Sequence, residues 1–201
     1  LRIQKIVWKY LISAIIASTH AGNASANSCE TLDAKANARE IERNPAAFDP
    51  AAVFVKHGLD PAKLKSRFEI SDIGQIQLSL IYDEQRAGYI ILEHYYRGDL
   101  QYDFTIARVQ VEPQLKGKGL GTLLYLAAGR KAYIRENRLL YMSAIVSNDA
   151  IKTWNRFVDQ GYAEKHMTEY GEEVRLKRST LESDSARKAL EFVEARPVGL
   201  F

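Results

Sequence analysis

The stretch Gln114-Leu115-Lys116-Gly117-Lys118-Gly119-Leu120-Gly121-Thr122 constrains this chain more than any other. Ahead of it, Tyr102 to Val111 is rich in β-branched and aromatic residues and reads as a strand, stopped at Pro113. Behind it, Leu120, Leu123, Leu124, Ala127 and Ile134 recur at helical spacing. They predict a helix over about 119–137, with Lys118, Thr122 and Arg135 away from its apolar face. A strand that turns through three alternate glycines into a long helix makes an anion site. Glycines leave backbone N–H groups uncovered. The helix start adds N–H groups with no partner inside the helix, and the positive end of its dipole. Lys116 and Lys118 supply further positive charge. A tight turn is the plainer reading of one glycine, but three at alternate positions before a helix favour phosphate.

The surrounding texture narrows the fold. Asp49-Pro50 and Asp60-Pro61 are two similar helix entries, predicting short helices at about 50–57 and 61–66. From 68 onward the pattern turns to β. Ile76, Leu78 and Leu80 alternate with polar residues, and a second run covers 88–96. Gly98-Asp99 suits a two-residue hairpin turn into the run ending at Val111, giving an antiparallel meander. After the long helix come a strand over 139–146 and a helix from Asn148 to Gln160. Ile151, Trp154 and Phe157 face inward on that helix, and Gly161 stops it. Two closing strands at 162–168 and 172–178 precede a tail helix carrying Ala186, Ala189, Leu190 and Val193.

With 201 residues, 46% hydrophobic and 26% charged, the chain fits one globular domain with tails. Cys29 is the only cysteine, and His20, His57, His94 and His166 show no ligand spacing, so no metal cofactor is expected. The net charge of +3 equals the contribution of Arg2, Lys5 and Lys9 alone, leaving a balanced body. Such a body lacks the broad basic footprint that a nucleic-acid partner requires.

Residues 1–26 read as basic, then apolar from Tyr10 to Ser18, then small at Ala24-Ser25-Ala26. That is the order of an export signal, with a packed helix or a membrane-surface anchor as the alternatives. Location is therefore open between export and the cytoplasm. The organisation expected is a segment over 1–26, a helical region over 27–66, a central domain over 67–178 and a helical tail over 179–201.

A dinucleotide-binding fingerprint needs a parallel βαβ unit, and the strands here form a meander. A Walker loop needs Gly-Lys-Ser/Thr, which is absent. Gln114-Leu115-Lys116-Gly117-Lys118-Gly119 instead resembles the Arg/Gln-x-x-Gly-x-Gly/Ala signature of the GNAT superfamily of N-acetyltransferases. It follows Val111-Glu112-Pro113 as that family's loop does. The later order of strand, Asn148, helix and Gly161-Tyr162 is also similar to the family's, so the resemblance covers about 75–178.

The resemblance implies an α/β (α+β) fold with a mixed, mostly antiparallel sheet, a splayed strand pair and flanking helices. It implies acetyl-CoA or another acyl-CoA as co-substrate, and an amine acceptor that is a small molecule or a protein. Backbone groups of Val109 and Val111 would pair with the pantetheine arm, and Gly117 to Thr122 would wrap the pyrophosphate. The cofactor contacts so assigned are Val109, Gln110, Val111, Gln114, Lys116, Gly117, Lys118, Gly119, Leu120, Gly121, Thr122 and Asn148.

The chain departs from the family where acid and base are expected. The Tyr that protonates the leaving thiolate falls on Phe157, and the common Glu falls on Ala107. A two-residue turn at Gly98-Asp99 would set His94 opposite Asp103, but Asp103 lies six residues before Val109, roughly 20 Å at strand rise. That is too far from the thioester, and a solvated cross-strand pair is the better reading. Ser143 and Ser147 sit nearer but are ordinary strand-end residues. No catalytic residue is assigned. An acyl-CoA-dependent N-acyltransferase is the first expectation. An acyl-CoA-binding module of weak or no activity is the second, and an exported interaction protein the third.

Overall fold

The computed structural model describes residues 47–97, 101–144, 146–168 and 171–198. The segments 1–26 and 27–46 and the Gly98-Asp99 turn lie outside the described residues.

Asp49 and Asp60 both act as helix entries, but with different outcomes. The Asp49 carboxylate accepts from the Ala52 N–H and opens α1, Pro50–Lys56. The Asp60 carboxylate accepts from the Ala62 N–H, yet only a single 3₁₀ turn, Pro61–Lys63, follows. The expected helix to 66 is replaced by strand β1, Leu64–Ile70. Pairing overrides the local helix signal here: all seven residues of β1 pair antiparallel with residues 76–82, and Ser66 is also tied to the C-terminal segment. The Ser66 N–H donates to the Arg196 carbonyl at 2.7 Å, and the Val198 N–H donates to the Ser66 carbonyl at 2.9 Å.

Four antiparallel strands build one half of the sheet: β1, then β2 (Ile76–Tyr82), β3 (Gln85–Arg97) and β4 (Gln101–Val111). After α2, Leu120–Glu136, come β5 (Leu140–Tyr141), α3 (Asn148–Asp159), β6 (Ala163–Thr168) and β7 (Gly171–Leu176). The short α4, Arg178–Glu182, leads to α5, Asp184–Glu194. The seven strands run in the order β1-β2-β3-β4-β5-β7-β6, with only β4 and β5 parallel. The fold is thus mixed α/β with a mostly antiparallel sheet flanked by helices.

Three expectations need correction. First, Tyr95 pairs with Asp103 and His94 with Phe104, so the His94–Asp103 pair does not form. The link between β3 and β4 spans 98–100, one residue more than a two-residue turn, and one residue of register moves every cross-strand partner. Asp103 instead accepts from the Leu139 N–H at 3.0 Å. Second, the strand expected over 139–146 is ordered only at Leu140 and Tyr141. Third, Ile134 and Ile151 are exposed. On α3 it is Ala150 and Trp154, one register away from Ile151, that line a cavity, with Phe157 fully buried.

The core lies between one face of the sheet and α2. Ile76, Leu78, Leu80, Ile90, Leu92 and Phe104 supply the sheet side, and Leu123, Leu124, Ala127 and Ala128 the helix side. Both α1 and α5 join this layer, with Phe54 meeting Phe192 edge to face at 5.5 Å between ring centroids. Ala186, Ala189, Leu190 and Val193 are all buried, so the tail is part of the core.

Candidate functional site

The site begins where the sheet parts. Strands β4 and β5 pair only at Phe104↔Leu140 and Thr105↔Tyr141. Beyond that point the β4 register against β3 steps from Leu92↔Ile106 to Ile91↔Arg108, which makes Ala107 the extra residue of a bulge. A bulge bends and twists its strand. Past it, Arg108 to Val111 pair with β3 alone, while the segment after β5, still bonded to β7 at Met142, leads on to α3. The expected splayed pair is present, and the bulge lies two residues past the last β4–β5 pair.

At the open end of β4 the glycine loop runs through a 3₁₀ turn, Pro113–Leu115, into α2. Gly117 and Gly119 have φ of +76° and +89°, values that favour glycine. Gly119 is the N-cap of α2 and provides no side chain to close the helix start. By contrast, α1, α3 and α5 are each capped by a side-chain oxygen, from Asp49, Ser147 and Ser183. The longest of these helices therefore starts with donor groups that no capping side chain takes up, which suits an anion.

A cavity of about 660 Å³ lies in front of this helix start. That volume is within the range typical of small-molecule and cofactor sites. Of the residues anticipated from sequence, Val109, Gln110, Val111, Lys116, Gly117, Gly119, Gly121 and Thr122 line it. Gln114, Lys118, Leu120 and Asn148 do not. Leu120 is buried, while Gln114 and Asn148 are exposed. A Cβ at Gly117 or Gly121 would meet nothing within 4 Å, whereas one at Gly119 would lie 2.5 Å from Val53 Cγ1. Helix α1 thus backs the loop at Gly119 and leaves Gly117 and Gly121 open.

Sequence reasoning missed the opposite wall. Asp149, Lys152, Thr153, Arg156 and Gln160 line the cavity from α3. Their spacing of three and four residues is a polar stripe that helical periodicity alone could have revealed. Phe48, Val53 and His57 close the cavity from the side of α1. Lys116 of the loop reaches across to Asp149, with Nζ 2.9 Å from Oδ2, and this ammonium holds the Asp149 carboxyl below its usual range.

A second, smaller cavity of about 180 Å³ opens at the parting itself, lined by Ile106 to Val109, Ser143, Val146 and Trp154 among others. Val109, Tyr125, Ser147 and Ala150 line both cavities and so form the boundary between them. Tyr125 is 2% exposed and its hydroxyl makes no hydrogen bond among the described residues. Burial pushes that hydroxyl up to about 12, with Arg156 pulling the other way. Tyr162 also lines the larger cavity, and its hydroxyl is raised by burial while a hydrogen bond with Ser185 lowers it.

Taken together, these features define a class: a mixed sheet whose parallel pair parts beside a glycine loop and an uncapped helix start. No family model matches the chain, and no curated protein matches it. Among solved structures, it is similar to a Tyr-to-Phe mutant of the AtaT toxin bound to the C-terminus of the antitoxin AtaR and acetyl-CoA. Identity there is 14%, covering 60% of this chain and 96% of that one, with a TM-score of 0.45. It is also similar to a putative GNAT-family acetyltransferase from Desulfovibrio desulfuricans, at 17% identity, 51% and 67% coverage and a TM-score of 0.38. A third likeness is to the ribosomal-protein-S18-alanine N-acetyltransferase from Escherichia coli, at 19% identity, 75% and 88% coverage and a TM-score of 0.36.

Proposed function

We propose that this chain is an acyl-CoA-dependent N-acyltransferase, moving an acyl group, acetyl before others, from CoA to an amine. One observation carries the reading: the larger cavity, walled by the glycines and the uncapped start of α2, shares a boundary with the smaller one at the parting of β4 and β5. Each part of an acyl-CoA has a counterpart. The pyrophosphate would meet the N–H groups from Gly117 to Thr122, as anions do at helix starts. The pantetheine arm carries amides and would run beside Val109 and Val111, whose β5-facing backbone has no strand partner. The thioester would then reach the smaller cavity. Lys152 and Arg156 add cationic groups on the far wall, suited to the remaining phosphate. Holding amine and thioester together in such a cleft supplies much of the rate of an acyl transfer.

A second reading, an acyl-CoA-binding module without turnover, is favoured by Ala107 and Phe157, neither of which can move a proton. The two readings part in one experiment. CoA and acetyl-CoA binding is measured by calorimetry, and free thiol release from acetyl-CoA is followed with a panel of amines. Binding with turnover supports the enzyme, and binding with none across the panel supports the module. Failure to bind either compound removes both readings.

A further inference from the structure

Acyl transfer from a thioester leaves a thiolate that must be protonated, and the position expected to hold a phenol carries Phe157 instead. Phe157 is fully buried and lines neither cavity. Its ring packs edge to face against Tyr125 of α2, with centroids 5.2 Å apart and planes at 85°. Trp154 holds the same Tyr125 ring from another side, at 5.5 Å and 90°. Two aromatic neighbours therefore fix the Tyr125 ring.

The hydroxyl at its tip is placed unlike any other near the cleft. Tyr125 belongs to both cavities, so its side chain stands where the larger cleft meets the parting of β4 and β5. The hydroxyl has no hydrogen-bond partner among the described residues, although the ring is 2% exposed. The enclosed polar side-chain atoms without a hydrogen bond among the described residues are His94 Nε2 and Arg138 Nε, so the Tyr125 hydroxyl is open to the cavity, and the cavity's contents supply its partner. Ser147, the other hydroxyl on this boundary, already accepts from the Ala150 N–H at 3.2 Å as the cap of α3. It is also a weaker acid than a phenol.

Resting on the acyl-CoA reading above, we propose that Tyr125 is the general acid of the transfer, delivering its proton to the CoA sulfur across the boundary of the two cavities. The acceptor nitrogen forms its bond to the thioester carbonyl carbon, and the carbon–sulfur bond breaks with its electron pair left on sulfur. Sulfur takes the proton from Tyr125 Oη, giving free CoA thiol. The phenolate then regains a proton released by the acylated nitrogen, so no other reactant is required. A phenol holds its proton through the neutral range, the state in which it can donate. Burial, which pushes Tyr125 up to about 12, makes it a weaker acid, and the return of a proton from the acylated nitrogen offsets that.

The test uses CoA and desulfo-CoA, which lacks only the sulfur, with the full chain and its Tyr125→Phe variant. The comparison runs from about pH 8 to 11. The CoA thiol, an alkyl thiol, ionises above about 8.5, the value of a free cysteine, and below about 12, that of Tyr125, so the thiolate forms while Tyr125 still holds its proton. A charge-assisted hydrogen bond from Tyr125 would make the intact protein prefer CoA over desulfo-CoA by roughly ten-fold or more. In Tyr125→Phe that preference should fall to near one, with desulfo-CoA affinity and melting temperature unchanged. A ring held only for packing would not couple to the sulfur. An equal preference in both proteins, or none in the intact one, overturns the assignment. Loss of the preference in Ser147→Ala but not in Tyr125→Phe overturns it in favour of the serine. If neither compound binds the intact protein, the cleft is not an acyl-CoA site and the proposal falls with that reading.

Discussion

Tyr125 and Phe157 meet edge to face with ring centroids 5.2 Å apart, and only Tyr125 borders the cavities. Phe157 is fully enclosed, with Trp154 at 6.0 Å and Tyr162 at 5.8 Å as further ring neighbours. Restoring a phenol at position 157 is therefore not a route to a better enzyme. Phe157→Tyr adds a hydroxyl inside an aromatic cluster, where an unsatisfied polar group costs about 1–3 kcal/mol. The expected outcome is a lower urea midpoint and no gain in kcat. A stable Phe157→Tyr with raised kcat would show that this ring reaches the thioester.

The Tyr125 hydroxyl also makes stability depend on pH at the alkaline end. In the folded chain it holds its proton up to about 12, against 10.0 ordinarily. Between those values the unfolded chain binds fewer protons than the folded one. Stability is thus whole below about pH 10 and falls as the pH rises toward 12. A shift of about two units corresponds to on the order of 3 kcal/mol. Urea unfolding of the intact chain and of Tyr125→Phe from pH 8 upward should give curves that diverge above pH 10, the intact chain losing more. Parallel curves would mean that the hydroxyl sees more water than its surroundings suggest.

Much of this was legible in the sequence, for reasons that are local. The strand, the glycine loop and the helix that follows it are encoded by neighbouring residues. The polar stripe from Asp149 to Gln160 is encoded locally too but went unread, because nothing in the sequence says that this face meets a cavity. What escaped is set by distant contacts. β1 forms because all seven of its residues pair with β2, and Ser66 adds bonds to Arg196 and Val198 about 130 positions away, where the local Asp-Pro signal asks for a helix. The His94 partner changes because one residue of hairpin length moves the whole register. Tyr125 sits among Leu123, Leu124, Leu126 and Ala127 in a helix buried nearly all round, so it reads as core. Only the meeting of α2 with α3 at the parting of the sheet gives its hydroxyl somewhere to go.

The loop can be tested at Gly121 more cleanly than at Gly119. A side chain at Gly119 is strained by its φ of +89° and collides with Val53 of α1, so Gly119→Glu should disturb packing and binding together. Gly121 is the second residue of α2, has open space around its Cβ position and lines the larger cavity. Replacing a helical Gly removes a cost of up to about 1 kcal/mol, and an acidic residue in the first turn is favoured by the helix dipole. Gly121→Glu should therefore melt at or above the temperature of the intact chain, yet lose CoA binding by calorimetry. Retained CoA affinity with an intact fold would place the phosphates elsewhere.

Lys116 and Asp149 bridge the mouth of the cavity at 2.9 Å, both well exposed, so their pairing adds little to stability. Its consequence is for binding. The Asp149 carboxylate, held ionised by Lys116, occupies the ammonium and presents negative charge to an incoming phosphate. Asp149→Asn keeps the shape of the wall and removes that charge. Two unit charges about 4 Å apart in water interact by roughly 1 kcal/mol, so CoA affinity should rise about five-fold. Because the groups are solvated, the gain should vanish near 1 M salt, where the screening length is about 3 Å. Lys116→Met should weaken binding under the same low-salt conditions. An affinity that Asp149→Asn leaves unchanged, with Lys116→Met equally silent, would mean that the bound phosphates do not approach this pair, and that the N–H groups of the glycine loop hold them without help from its lysine.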